Sequence, residues 1–186
     1  RYLDIPFQHS SDAVLKNMRR GHTSGEDLEL IDFIRKEIPD ITLRTTIITG
    51  HPGETAKECG NLHRFIEKVR FARLGVFTYS EEEGTWAARN LKDSILERTK
   101  KERADALMSL QQNISKVLNE NKIGRSFKVL IDDREGEYYT GRTEGDSPEI
   151  DNEVLVPLSG NNFNTGEFYQ VRITGAGEFD LFGEPV

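Results

Sequence analysis

A chain of 186 residues, 35% apolar and 31% charged, has the balance of one or two globular modules rather than of a disordered tract. No apolar run is longer than three residues, which excludes a membrane-spanning helix, and the single Cys59 excludes an internal disulfide or a site built from several cysteines of this chain. The net charge of −7 is uneven, since residues 124–186 carry five basic side chains against thirteen acidic ones while residues 1–123 carry 20 against 19.

Arg1 opens inside a strand-like stretch and not a signal peptide, so a soluble fragment is expected. Residues 2–7, 41–49 and 71–79 are β-branched or aromatic runs closed by turn residues and read as strands. Between them apolar side chains recur at helical spacing: Val14, Leu15 and Met18; Leu28, Ile31, Ile34 and Ile38; Cys59, Leu62, Ile66 and Val69. Thr23 with Glu26 and Thr55 with Glu58 have the spacing of capping boxes, and Pro39 stops the second helix. Crossovers of this length make the strands parallel, as in part of a β/α barrel or an open α/β sheet. Three strands bury a small core and leave an edge unpaired, which predicts a piece of a larger sheet.

A long helix follows, opening at Ser94 and Glu97, with Leu107, Leu110, Ile114 and Val117 on one face and Arg98, Lys100, Lys101 and Arg103 on another. Such a basic face suits nucleic acid or simply water, and a solvated linker is the preferred reading. After Gly124 the pattern becomes alternating, with turns at Gly136, Gly145, Gly160 and Gly175, and about five short strands predict a small antiparallel, OB-like barrel. The fold class is therefore α/β plus all-β, divided into residues 1–92, a helix in 93–123, and a barrel in 124–186.

Several segments have the composition of ligand sites. Gly50 and Gly53 lie between a strand end and a helix start, where a ligand can approach the backbone, although a tight turn alone accounts for them. Gln8 and His9 end the first strand among polar side chains and stand equally for ligand contact or helix capping. His22, His51 and His63 lack metal-ligand spacing, and Cys59 falls on an apolar stripe and reads as core. Glu82 and Glu83 read as solvated loop before an acid/base pair, and Trp86 either covers a ligand or packs.

Taken together, Leu3-Asp4-Ile5-Pro6-Phe7-Gln8-His9, Met18-Arg19-Arg20-Gly21, Ile48-Thr49-Gly50-His51-Pro52-Gly53-Glu54-Thr55 and Phe77-Thr78-Tyr79-Ser80 resemble the later barrel half of the radical S-adenosylmethionine methylthiotransferases. Residues 124–186 resemble that family's TRAM domain. The Gln8-His9 pair, the 82–85 loop and Asp146-Ser147-Pro148-Glu149-Ile150-Asp151 resemble the branch acting on a ribosomal protein more than the branch acting on tRNA. The resemblance departs at His51, where the family often has Phe, at Trp86, where Pro is common, and in lacking the Cys-x3-Cys-x2-Cys motif.

The resemblance implies a cytoplasmic enzyme that replaces a hydrogen on the β-carbon of an aspartate of small-subunit ribosomal protein twelve with a methylthio group. It implies S-adenosylmethionine and two iron-sulfur clusters as cofactors, one cluster generating the radical that removes the hydrogen and the other taking part in sulfur delivery. With one cysteine this chain holds neither cluster and is expected to be inactive by itself. Carried over by motif, Gln8, Ile48, Gly50, Phe77 and Tyr79 face S-adenosylmethionine. Asp146, Glu149 and Asp151 are expected to dock the basic ribosomal protein, a partner that an acidic module attracts while repelling tRNA. A tRNA methylthiotransferase, or a non-catalytic module binding protein or RNA, is the alternative.

Overall fold

The computed structural model describes residues 1–148 and 151–186, which form two compact units, Leu3–Gln111 and Gln112–Val186, the latter together with Arg1–Tyr2. The first unit is built on a three-stranded sheet of order β1 (Tyr2–Asp4), β2 (Thr42–Thr49) and β3 (Arg73–Thr78). β2 and β3 are parallel, in register from Arg44 opposite Arg73 to Thr49 opposite Thr78. Helices α1 (Asp12–Asn17), α2 (Ser24–Glu37) and α3 (Ala56–Val69) make the crossovers. Both expected capping boxes form: Thr23 and Glu26 close on each other at the start of α2, and Thr55 and Glu58 do so at the start of α3.

The first strand is shorter than its composition suggests. Pro6 has no amide to donate to a ladder, so the chain leaves the sheet after Asp4 and rejoins it at Gln8, which pairs in parallel with Ile47. There Gln8 N–H donates to the Thr46 carbonyl at 2.9 Å and Ile48 N–H donates to the Gln8 carbonyl at 2.9 Å. Gln8 takes a left-handed φ of 69° to make this return. Phe71 is buried between Phe7 at 5.9 Å and Phe65 at 6.0 Å, in a core that also holds Leu43, Ile47 and Ile66.

Two elements differ from the sequence reading. α4 (Trp86–Asn90), one turn capped by the Thr85 hydroxyl, is too short to carry a periodicity and was not expected. α5 (Glu97–Glu120) begins at Glu97 itself, because the Glu97 carboxylate accepts from Lys100 Nζ rather than closing a box with Ser94. The chain passes from the first unit to the second within α5.

The second unit is a closed barrel of β4 (Ser126–Glu135), β5 (Tyr138–Arg142), β6 (Val154–Pro157), β7 (Phe168–Ala176) and β8 (Leu181–Pro185), in the order β4-β5-β6-β8-β7. Alternation turns Val129, Ile131, Val154, Val156, Val171, Ile173 and Leu181 inward to fill it. A bulge between Ile131 and Asp133 bends β4 around the barrel. Gly141 is needed there, since a Cβ would run into the Leu130 carbonyl.

A candidate cofactor cleft and an acidic barrel face

At the carboxyl ends of β2 and β3 the first unit opens a cleft of about 430 Å³. Ile48 and Phe77 are register partners on neighbouring strands, so they stand side by side on one face and form its apolar floor. Phe77 leaves 59% of its surface exposed, an unusual state for a large apolar side chain. Gln8 and Tyr79 line the same space, and Arg19 and Trp86 form a wall, the Arg19 guanidinium lying 4.2 Å from the Trp86 ring centre. Arg19 holds a left-handed φ of 60°, and Thr85 fixes the start of the turn that carries Trp86.

Gln8, Ile48, Phe77 and Tyr79 thus converge as expected, and Gly50 does not. Gly50 lies beneath the cleft with φ +76°, its N–H donating to Glu54 Oε2 at 2.8 Å, and the side chain of Lys100 occupies the place of a Cβ. Its missing side chain makes room for protein rather than for ligand. Glu82 and Glu83 are both exposed, and Glu82 borders the cleft.

A buried polar network holds this floor. The Glu54 carboxylate also accepts from Arg103 Nη1 at 2.8 Å and stands 3.3 Å from His9 Nε2. His9 Nδ1 accepts from Ser11 N–H at 2.9 Å, so the neutral ring carries its proton on Nε2, facing Glu54. His9 is fully buried and bonded within the network rather than left exposed, and Ser11 at the start of α1 makes no side-chain capping bond, against the reading of this cluster as a helix cap. Lys100, 1% exposed, donates to Asp93 Oδ2 at 2.5 Å, Glu97 Oε1 at 2.6 Å and the Tyr79 carbonyl at 3.2 Å. Burial by itself lowers this ammonium's pKa, but the bonds to Asp93 and Glu97 outweigh it and hold it above its ordinary value. Lys100 and Arg103, expected on a solvated basic face, are instead turned into the protein. The signal for this lay in the four-residue step from Gly50 to Glu54, which places a carboxylate to receive both the glycine amide and a cation.

His51 borders the cleft with 4% of its surface exposed and its ring edge-on to Tyr79 at 4.8 Å. Burial depresses its pKa. Cys59 is half-buried and its thiol is pushed up by burial, which disfavours the thiolate. Among the described residues no three His, Cys, Asp or Glu side chains converge as a metal site, and one cysteine does not fit a cluster that needs several thiolates.

In the barrel unit the three acids expected to dock a partner fare differently. Asp146 is 8% exposed and accepts from the Thr143 hydroxyl at 2.6 Å, so its carboxylate is committed inside the loop, against the expectation of an outward contact. Asp151 accepts from Ser147 N–H at 2.8 Å, and Glu149 lies outside the described residues. The outward charge comes from other acids. Glu135 and Glu153 are exposed, Glu153 N–H donates to Asp180 Oδ1 at 3.2 Å, and Asp132 pairs with Arg142 Nη1 at 2.8 Å; burial raises the Glu153 carboxyl pKa, and the charges of Asp180, Glu135 and Asp132 raise it further. The exposed Tyr138 and Phe182 rings meet edge-on at 6.4 Å on the same barrel.

The model of the TRAM domain matches residues 123–186, the closed barrel with the residues leading into it. Residues 123–186 are a TRAM domain. The TRAM barrel and the α/β unit before it are together similar to proteins named ribosomal protein uS12 methylthiotransferase RimO. Identity is 54% over 184 residues with that of Bacteroides fragilis, covering 99% of this chain and 43% of the relative. It is 52% over 182 residues with that of Phocaeicola vulgatus, covering 98% and 42%, and 49% over 185 residues with that of Christiangramia forsetii, covering 100% and 41%. The chain, TRAM domain included, therefore spans about two fifths of the length of the curated relatives it matches.

Proposed function

We propose that this chain is the part of a ribosomal protein uS12 methylthiotransferase that cradles S-adenosylmethionine and meets the protein substrate, in an enzyme that places a methylthio group on the β-carbon of a uS12 aspartate in the cytoplasm. The observation that carries the reading is the likeness to RimO proteins, which extends through both units at about half identity. The three-stranded unit is then the later half of a radical S-adenosylmethionine barrel. Its cleft has the size of a small-molecule site, an apolar floor and a few polar groups around it, as a nucleoside requires.

S-adenosylmethionine would supply the methyl group and, with an iron-sulfur cluster, the radical that takes the substrate hydrogen. The residues of this chain would bind and orient it: Ile48 and Phe77 offer apolar surface to adenine, Gln8 offers an amide to ribose or the amino-acid part, and Tyr79 closes the side. The network of Glu54, Arg103 and Lys100 keeps the strand ends at fixed spacing. One cysteine cannot ligate two clusters, so their ligands belong elsewhere in the full-length enzyme and the 186-residue polypeptide alone is inactive.

The acidic TRAM face suits a basic ribosomal protein and repels a phosphate backbone. Glu135, Glu153 and Asp180 support this role better than Asp146, whose carboxylate is held by the Thr143 hydroxyl. The deciding experiment is mass spectrometry of ribosomal proteins from cells lacking the full-length gene, with and without complementation. Loss and rescue of a methylthio mass on the uS12 aspartate is expected; an unmodified tRNA beside an unchanged uS12 would instead assign the tRNA reaction.

A further inference from the structure

We infer that His51 is a specificity-determining residue of the cleft, its Nε2 accepting a hydrogen bond from a donor on the nucleoside part of the bound ligand, a ribose hydroxyl or the adenine amine. The inference rests on the reading of the cleft as an S-adenosylmethionine site.

The tautomer is fixed by geometry. His51 Nδ1 lies 3.1 Å from the Pro52 carbonyl oxygen, which can only accept, so Nδ1 is the protonated nitrogen and Nε2 carries the lone pair. No described residue bonds to that Nε2, yet it is not one of the occluded polar atoms, whereas the Nε2 of His9 is. A ring that is 4% exposed therefore spends its remaining accessible polar atom on the space it borders, which is the cleft. The Tyr79 ring packed edge-on fixes its orientation. Because burial keeps the imidazole neutral, the acceptor is available at neutral pH. The floor beside it is the apolar pair Ile48 and Phe77, which gives shape but no direction to a flat base. An isolated acceptor next to such a floor is what orients a ligand. A Phe at this position would fill the same volume and offer nothing to a donor.

The test measures binding of S-adenosylmethionine and S-adenosylhomocysteine to the full-length enzyme by calorimetry, for the wild type and for His51→Phe and His51→Gln. Loss of one hydrogen bond predicts about three- to tenfold weaker binding for His51→Phe, with partial recovery in His51→Gln. Nitrogen-15 spectra of the wild type give a readout that does not depend on any variant folding. Saturating S-adenosylhomocysteine should shift the unprotonated Nε2 of His51 and leave its Nδ1 in place. Analogues lacking single donors, dimethylated at the adenine amine or deoxygenated at either ribose hydroxyl, identify the partner, since only the relevant one loses no further affinity in His51→Phe. Equal affinity of wild type and His51→Phe, or an Nε2 signal that ligand does not move, overturns the inference while leaving the cofactor reading intact. Absence of binding to the wild type overturns both.

Discussion

Lys100 of α5 crosses under Gly50 at the end of β2, its Cγ lying where a Gly50 Cβ would stand. One residue without a side chain therefore lets a buried cation reach Asp93, Glu97 and the Tyr79 carbonyl, and so joins the helix to the two strand ends that floor the cleft.

Gly50→Ala is accordingly expected to be severe. The left-handed φ of +76° and the collision with Lys100 act together, and roughly 2–4 kcal/mol of stability should be lost. Trp86 is the single tryptophan and lies in the first unit, so its fluorescence during urea unfolding reports this loss. A midpoint unchanged from wild type contradicts the packing argument.

Glu54→Gln removes the charge facing Arg103 and His9 while keeping an acceptor for the Gly50 amide. The expected cost is about 2–4 kcal/mol, because a buried cation loses its counter-charge. The same unfolding measurement checks it, and Arg103→Met should be milder in the Glu54→Gln background than alone.

Lys100→Met should cost about 1–3 kcal/mol, since Asp93 retains some water and Glu97 is largely exposed. The raised Lys100 pKa gives the interaction a defined pH range. It is complete below the ordinary lysine value and fades as pH climbs through the higher folded value. Wild type and Lys100→Met should thus approach each other in stability only in strong alkali.

His51 sets an acid limit. Its folded pKa is depressed by burial, which outweighs the opposing hydrogen bond to the Pro52 carbonyl; His9 lowers it further, while Glu54 and Asp93 act in the opposite sense. Below the ordinary histidine value the unfolded chain takes up the proton first, so the stability of the first unit should begin to fall near pH 6.5 and go on falling to the lower folded value. His51→Phe should flatten the pH 5–7 part of the stability curve; an unaltered slope would assign it to other groups.

Reversing Glu135, Glu153 and Asp180 to Lys, and leaving Asp132 paired with Arg142, should weaken binding of uS12 to the TRAM domain at least tenfold at low salt, with the difference shrinking as salt is added. Asp146→Asn should leave that affinity unchanged and loosen the loop through its bond to Thr143. Equal affinities for the reversed and native faces would remove this surface from the proposal.

Helix and strand identity were legible because they depend on neighbours along the chain. The three-to-four spacing in α2 and α3, the reciprocal caps at Thr23 and Thr55, and the alternation in β4 and β7 are short-range patterns, and each formed where the residues placed it. The five-stranded closure could be anticipated because so few apolar residues cover themselves only by curling the sheet. Ile48 and Phe77 line the cleft together because register pairs them across β2 and β3, and Gln8 and Tyr79 reach it from just beyond strand ends.

What only the folded chain decided was the partner of each polar group. Nothing local distinguishes Lys100 and Arg103 from their exposed neighbours on the same helix; α5 has to lie beside Gly50 and Glu54 before their charges become buried. Asp146 likewise looks outward in the sequence and is turned inward by Thr143. His51 reads as one of three scattered histidines until the fold sets its Nδ1 against the Pro52 carbonyl and its ring at the border of the cleft. Backbone pattern is set by residues a few positions apart, whereas burial and hydrogen bonding join distant groups such as Glu54 and Arg103, which are 49 positions apart, and only tertiary structure brings such groups within reach.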